Sequence, residues 1–550
     1  MAIAVVPSAG KATFITFDIS EHYRASLLWA TGVKCGQPRC GKRGKRHGIL
    51  ARPVKARAGG CGSATKQPAT ERAMPGSPRL DRCTNEWARP TGGIWLALLA
   101  GHLVGWLCLA APATAAAPNI VIFLSDDHTL RDCSVYGSPD IKTPNMERLA
   151  AAGMVFDRAY VASPSCAPSR AALLTGLYPA RNTAEANHSR PKAEIKKLPA
   201  YFQELGYQVA SFGKVGHYNQ TPEYGFDIAR HFNYHEDIAI PRAVEWLRER
   251  KSSKPLCLFV GTNWPHVPWP EEIGDIDPDS LVIPPTHVDN PTTRLWRSRY
   301  VAAVKTMDTE LGLVYDAARE LLGDDTFFLH TSDHGSQWPF AKWNLYQDGI
   351  HTPLIVSWPG RVRPGTRTDA MVSWIDILPT LIDVAGGTPP KAIDGRSFLP
   401  VLTGKADAHR QAIFTTHSGD GNKNVYPTRS IVTADGWHYI LNLHPEFLFT
   451  SHVTSHPADS GYWQSWVASA QMDDAARKRV EAYQIRPTDE LYSMHADPWQ
   501  LKNLSTDPGH QQRRNELRDQ LERWMAETRD TRTVFGKPTY IESVEAPSQP

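Results

Sequence analysis

From Asn119 onward, short apolar runs alternate with stretches of helical periodicity. Asn119–Leu124 (NIVIFL) is a continuous apolar run of the kind that forms a strand buried on both faces. Asn145–Gly153 carries apolar residues at helical spacing and ends on a glycine. Val155–Ala162 reads as a strand, Leu198–Leu205 as a helix, and Tyr207–Phe212 and Pro255–Gly261 as strands. Arg294–Leu322 predicts a long helix, Thr326–Thr331 and Pro353–Trp358 two strands, and Trp374–Ala385 a helix. Strands alternating with helices predict an α/β architecture, with a mostly parallel sheet covered by helices on both faces. Ligands of such folds gather at the carboxyl ends of the strands.

The pattern changes after about Gly404. Gln411–Thr416, Thr428–Thr433 and Trp437–Leu443 read as short strands around the turn Asp435-Gly436. A helix with apolar positions Leu517, Leu521 and Trp524 follows the breaker Pro508-Gly509. These elements predict a smaller C-terminal α+β subdomain with an antiparallel sheet. The division expected is 1–73, an N-terminal extension; 74–117, a signal peptide; 118–404, the catalytic domain; and 405–550, the C-terminal subdomain.

Residues 94–112 are apolar, follow Arg82 and Arg89, and precede Ala113-Thr114-Ala115. That is the layout of a secretory signal and predicts export, with no stable membrane insertion after cleavage. The competing reading is an N-terminal membrane anchor. Met74 would begin a signal of ordinary length, so residues 1–73 read as a mis-assigned start or a disordered extension.

The 550-residue chain has a formal net charge of +3, but the charge is unevenly placed. Residues 1–117 hold 16 Lys and Arg against 5 Asp and Glu; the remainder holds 44 against 52. The body is therefore mildly acidic, which argues against a nucleic-acid partner. Five of the 8 cysteines lie in the leader, leaving Cys133, Cys166 and Cys257, too few for a disulfide framework. Cys257, inside an apolar run, and Cys133 read as core residues.

Three segments carry chemistry. Asp126-Asp127 follows the first strand, and Asp333-His334 follows TFFLHT. Three carboxylates and an imidazole converging at one sheet edge need a cation, and oxygen-rich ligation suits calcium or magnesium. Alternatively, each aspartate only caps the element after it. The third segment is Cys166-Ala167-Pro168-Ser169-Arg170, at a helix start, where the helix N-terminus and Arg170 surround the thiol with positive charge.

These residues resemble the formylglycine-dependent sulfatase family. Its C-x-P-S-R motif stands as Cys166, Pro168, Ser169 and Arg170, with Leu174-Thr175-Gly176 extending it. Asp126-Asp127, Gly213-Lys214 with His217, Pro265–Pro268, Asp333-His334 and Lys342 follow in family order. The resemblance runs from about Asn119 to Asn503. It implies an alkaline-phosphatase-like sandwich and a calcium ion held by Asp126, Asp127, Asp333, His334 and the formylglycine made from Cys166. His334 stands where many members have asparagine. Arg170 would steady the aldehyde hydrate, while Lys214, His217, His266 and Lys342 grip the sulfate and the leaving atom. His217 lies three residues after Lys214, where many members have two. In the family, one hydroxyl of the hydrate attacks sulfur and the other lets the bound sulfate be expelled.

The resemblance also implies a formylglycine-generating enzyme as maturation partner and a sulfated saccharide as substrate. Val425–Ser430, Tyr439–Leu443 and Asp519–Thr528 look like the sulfamidase branch, which acts on N-sulfated glucosamine of heparan sulfate. The Lys214/His217 spacing looks more like iduronate-2-sulfatase. The rivals are an arylsulfatase, a phosphonate or phosphate monoester hydrolase, or a catalytically silent exported glycan-binding protein. Trp264, Trp269, Trp338 and Trp343 are candidates either for stacking on sugar rings or for packing. Asn187-His188-Ser189 and Asn503-Leu504-Ser505 fit glycosylation sequons.

Overall fold

A computed structural model describes residues 2–8, 11–17, 117–232 and 238–541. Ala2–Ser8 and Lys11–Phe17 pair as an antiparallel hairpin. The apolar run 94–112 lies outside the described residues.

The strand Asn119–Ser125 lies in the middle of an 8-stranded sheet. Across the sheet the order is Thr366–Thr368, Met154–Phe156, Leu354–Ser357, Thr326–Ser332, Asn119–Ser125, Leu256–Gly261, Gln208–Gly213 and Ile228–Arg230. Leu354–Ser357 pairs antiparallel with both of its neighbours, and every other pairing is parallel. Alternate residues of the central strand serve opposite faces. Val121 and Phe123 join one core, with the helices Ala239–Glu249 and Pro291–Leu322; Ile120, Ile122 and Leu124 join the other, with Leu198–Glu204 and Ile377–Val384. Burial on both faces explains the continuous apolar run. The long helix starts cleanly: Asn290 accepts from the Thr293 amide at 2.8 Å, and Pro291 occupies the first turn.

Two expected elements are divided. Val155–Ala162 breaks into Met154–Phe156, in the large sheet, and Ala159–Tyr160, which pairs with Val372–Ser373. The intervening Asp157 pairs with Arg367, and Arg158 donates to the carbonyls of Thr433 and Ala434, both at 2.8 Å. These contacts draw the chain off the sheet edge. Trp374–Ala385 begins as a 3₁₀ turn, Trp374–Asp376, and becomes α-helical over Ile377–Val384. There the Asp376 carboxylate accepts from the Ser373 amide at 2.9 Å and from Arg410 Nε at 2.6 Å.

The C-terminal sheet is antiparallel and has 4 strands in sequence order: Ala412–His417, Thr428–Thr433, Trp437–Asn442 and Asp489–Ser493. The fourth strand and the helices before it, Pro457–Ser469 and Asp474–Gln484, go beyond the elements read from the pattern. Helix Gln511–Glu527 packs Leu517, Leu521, Trp524 and Met525 against Ile431, Tyr439 and Leu491. Leu521 is fully buried, so Leu521→Ala is expected to cost about 2–5 kcal/mol. Denaturant unfolding followed by tryptophan fluorescence checks this; a loss under about 1 kcal/mol would mean that the helix is not held by this seam.

Candidate active site

Four parallel neighbours end at one edge of the large sheet, and each delivers part of the site. Ser125 stands opposite Ser332, so Asp126-Asp127 and Asp333-His334 emerge side by side. Gly213 stands opposite Gly261, which places Lys214 and the loop carrying His266 next to them. Gly213 has φ +74° and its Cα faces the Gly261 carbonyl, where a Cβ would come within 2.0 Å. Only glycine permits this close approach, which turns the chain and sends Lys214 inward.

Helix Cys166–Thr175 sets its first residue over that edge. Cys166 Sγ lies 3.3 Å from His334 Nε2, 3.6 Å from Lys214 Nζ and 3.9 Å from Asp126 Oδ1. The expected positive surroundings are present, but burial outweighs them and pushes the thiol up to about 12, against the pull of Lys214 and Lys342. Cys166 is thus a neutral thiol at ordinary pH rather than an activated thiolate. Arg170, fully buried one turn on, explains part of this. Its Nε donates to Asp333 Oδ2 at 2.9 Å and its Nη2 to Asp126 Oδ1 at 3.3 Å, and its Nη1 contacts the Lys214 carbonyl. Its charge is spent on the two carboxylates.

Lys214 pairs with Asp126, and Lys342 donates to both oxygens of Asp127 at 2.9 and 2.8 Å. Burial and the neighbouring carboxylates raise Asp127, against Lys342. Burial likewise raises Asp333, against Arg170. Groups raised in this way call for added positive charge. Asp126, Cys166, Asp333 and His334 each present a ligating atom, all buried and all within 4.8 Å of one another. Asp127, Cys166 and His266 form a second such group. His334 Nδ1 faces the Gly335 carbonyl at 3.0 Å, which assigns the proton there and leaves Nε2 as a lone-pair donor toward Cys166. Burial, reinforced by Lys342, holds this ring neutral.

Above Cys166 opens a cavity of about 260 Å³. It brings together Cys166, His217, His266 and Lys342, and adds residues that the sequence reading missed: His188, Asp420, Lys423, His452 and His456. His217 Nε2 meets His188 Nδ1 at 2.8 Å, and His188 Nε2 meets Asp420 Oδ1 at 3.2 Å. The other Asp420 oxygen receives His452 Nε2 at 3.2 Å, Trp343 Nε1 at 3.1 Å and Asn187 Nδ2 at 3.0 Å. Burial alone would raise Asp420, but the hydrogen bonds from His188 and His452 hold it well below the carboxylate range. The one local signal was His452-Val453-Thr454-Ser455-His456, whose spacing sets two rings on one helical face. Asp420→Asn is expected to lower stability by about 1.5–3 kcal/mol, because four donors lose a charged acceptor. Paired denaturant melts check this, and an unchanged midpoint would remove Asp420 from the framework of the cavity.

The tryptophan question resolves unevenly. Trp269 stacks on Tyr462, Trp338 lies tilted against both, and Trp264 is buried in the same core. Trp343 lines the cavity. Cys133 and Cys257 are buried free thiols. Neither sequon asparagine has a free side-chain nitrogen: Asn187 Nδ2 binds Asp420, and Asn503 Nδ2 binds the Asp489 carbonyl at 3.1 Å.

This site stands in a chain that matches the Sulfatase family over residues 118–387. The N-acetylgalactosamine-6-sulfatase of Canis lupus familiaris is 31% identical over 366 residues, covering 54% of this chain and 70% of that protein. The chain belongs to the sulfatase family and is a hydrolase. More particularly, residues 334–443 match the family described as N-sulphoglucosamine sulphohydrolase, C-terminal. The N-sulphoglucosamine sulphohydrolase of Homo sapiens is 27% identical over 482 residues, covering 78% of this chain and 93% of that protein. A solved structure of a protein in complex with its substrate D-glucosamine-2-N,6-O-disulfate shares the fold, with a TM-score of 0.57 at 20% identity, covering 76% of this chain and 99% of that one. No helix among the described residues is long and apolar enough to cross a membrane.

Proposed function

We propose that the protein releases inorganic sulfate from a sulfated glycan of heparan type, with an N-sulfated glucosamine end as the preferred substrate. The observation that carries this reading is the sulphoglucosamine-type match over residues 334–443, the stretch that supplies Lys342, Trp343 and Asp420 to the cavity. In the same reading residues 74–117 direct export, 118–404 form the catalytic domain and 405–550 the C-terminal subdomain.

Residue 166 becomes the nucleophile once a formylglycine-generating enzyme has oxidised it, since the buried thiol itself is a weak one. A calcium ion, or magnesium in its place, would be held by Asp126, Asp127, Asp333 and His334 with residue 166, and would stabilise charge on the sulfate oxygens as a Lewis acid. The donor set supports this fit: Asp126, Cys166, Asp333 and His334 present atoms within 4.8 Å of one another, which suits ligands about 2.4 Å from a shared ion, and Asp127 lies within the same distance of Cys166. Arg170 orients two of those carboxylates from beneath. Lys214 and Lys342 bring two ammonium groups to the place where the sulfate oxygens would sit. Burial holds His217 and His266 neutral, helped by Lys214 at His217 and by Lys342 and Lys214 at His266. With His188 Nε2 toward Asp420, His188 Nδ1 accepts from His217 Nε2, so His217 Nδ1, which has no hydrogen-bond partner among the described residues, faces the cavity as a lone pair able to take up a proton beside the leaving atom.

The test is sulfate release from N-sulfated, 2-O-sulfated and 6-O-sulfated heparan-derived sugars, using protein co-expressed with a generating enzyme. Release from the N-sulfated sugar is expected. No release from any of them, with peptide mass showing Cys166 converted, overturns the glycan reading and favours a phosphonate, phosphate or small aryl ester. Sugar binding with Cys166 unconverted would mark a silent binding protein. Chelation of divalent ions is expected to lower the melting temperature and added calcium to restore it; a melt indifferent to both would remove the metal from the proposal.

A further inference from the structure

The cations around the cavity are compensated, with one exception. Lys214 pairs with Asp126 and Lys342 with Asp127. His188 and His452 share Asp420. Lys423 lines the same cavity, and among the described residues it makes no ion pair. Its ammonium donates instead to His456 Nε2 at 2.9 Å, an atom that accepts only while the ring is neutral. Among the described residues, this half-buried ammonium has no carboxylate partner.

A column of stacked rings connects this charge to the reactive end of the cavity. Lys342 Nζ lies 4.9 Å from the Trp343 ring. Trp343 stacks on His452 with centroids 5.0 Å apart and planes 4° apart, and His452 stacks on His456 at 5.1 Å and 25°. The column therefore runs from Lys342 through three stacked rings to Lys423. It fixes a cation at the far end of the cavity, where an anionic substituent on the saccharide would meet it.

We infer that Lys423, with His456, forms a second anion subsite that takes a further sulfate or a carboxylate on the saccharide whose scissile sulfate lies at residue 166. This rests on the sulfated-glycan reading of the same cavity. Lys423 selects the substrate, while the residues at the sheet edge transform it.

The test compares kcat/KM of the matured enzyme on three probes: glucosamine N-sulfate, its 6-O-sulfated form, and glucosamine N-sulfate linked to a uronic acid. One of the two doubly anionic probes is expected to be preferred over the singly anionic one by about tenfold, the scale of one charge-assisted hydrogen bond. Which of them is preferred tells sulfate from carboxylate. Lys423→Met is expected to abolish the preference, chiefly by raising KM, and Lys423→Arg to keep most of it. Lys423→Gln, which retains a polar end for His456, replaces the methionine variant if that variant does not fold. Equal use of all three probes by wild type overturns the inference while leaving the glycan reading intact, and so does a preference that survives the loss of the lysine. Release from none of them overturns the glycan reading and the inference together.

Discussion

Cys166→Ala abolishes sulfate release, with an expected loss on the order of 10⁴-fold or more, the scale of removing a catalytic nucleophile. Cys166→Ser is expected to fail equally. The side chain sits at the first position of its helix, over Asp126, Lys214 and His334, and is buried at the floor of the cavity. An anionic sulfate is well received there, but the thiol is not a usable attacking group, because burial pushes it up to about 12. A serine hydroxyl in the same place ionises still less readily and cannot become a geminal diol. Released sulfate, measured by ion chromatography alongside the peptide mass at position 166, reads both points at once. A serine variant retaining more than a tenth of wild-type turnover would sink the aldehyde requirement and leave simple hydroxyl attack in its place.

Arg170→Met is expected to have the second largest effect, and on stability as well as turnover. The guanidinium ties three loops to the nucleophile helix: the Asp126 loop, the Asp333 loop and the Lys214–Val215 backbone. Removing it leaves two buried carboxylates short of a partner, which costs about 3–5 kcal/mol. The apparent melting temperature should fall by several degrees, and turnover should fall with it as Asp126 and Asp333 lose their orientation. Calcium in excess should recover part of the melting loss, because it compensates the same carboxylates. Arg170→Lys keeps the charge but not the planar fork, so it should recover less than half of the stability. A methionine variant that melts with wild type would show that Arg170 carries no structural load at the site.

Much of this architecture was legible in the residue pattern, for a physical reason. Strands buried on both faces are mostly apolar, so the runs in NIVIFL and TFFLHT identified themselves, and the charged residues just beyond them had to lie at the sheet edge. Other features were hidden. Val155–Ala162 looks continuous, and it is broken by partners distant in sequence: Arg367 on Asp157, and the Thr433 and Ala434 carbonyls on Arg158. The helices Pro457–Ser469 and Asp474–Gln484 lie in a polar, tryptophan-rich stretch whose apolar positions face a core supplied by other segments.

The sequence by itself determined the large sheet and its carboxyl edge, because short-range periodicity is written within a few residues; the set Asp126, Asp127, Cys166, Arg170, Lys214, Asp333 and Lys342 was named through motifs that resemble the sulfatase family. Only the tertiary structure decided the outer half of the cavity. Asp420 and Lys423 come from a loop of the C-terminal region and His452 and His456 from a short helical turn, and they meet His188 and His217 from more than 200 residues earlier in the chain. No local pattern records a contact made across such a separation. Nor could composition say that Arg170 would be neutralised and Cys166 left a protonated thiol, because that balance is set by burial, which exists only once the chain has folded.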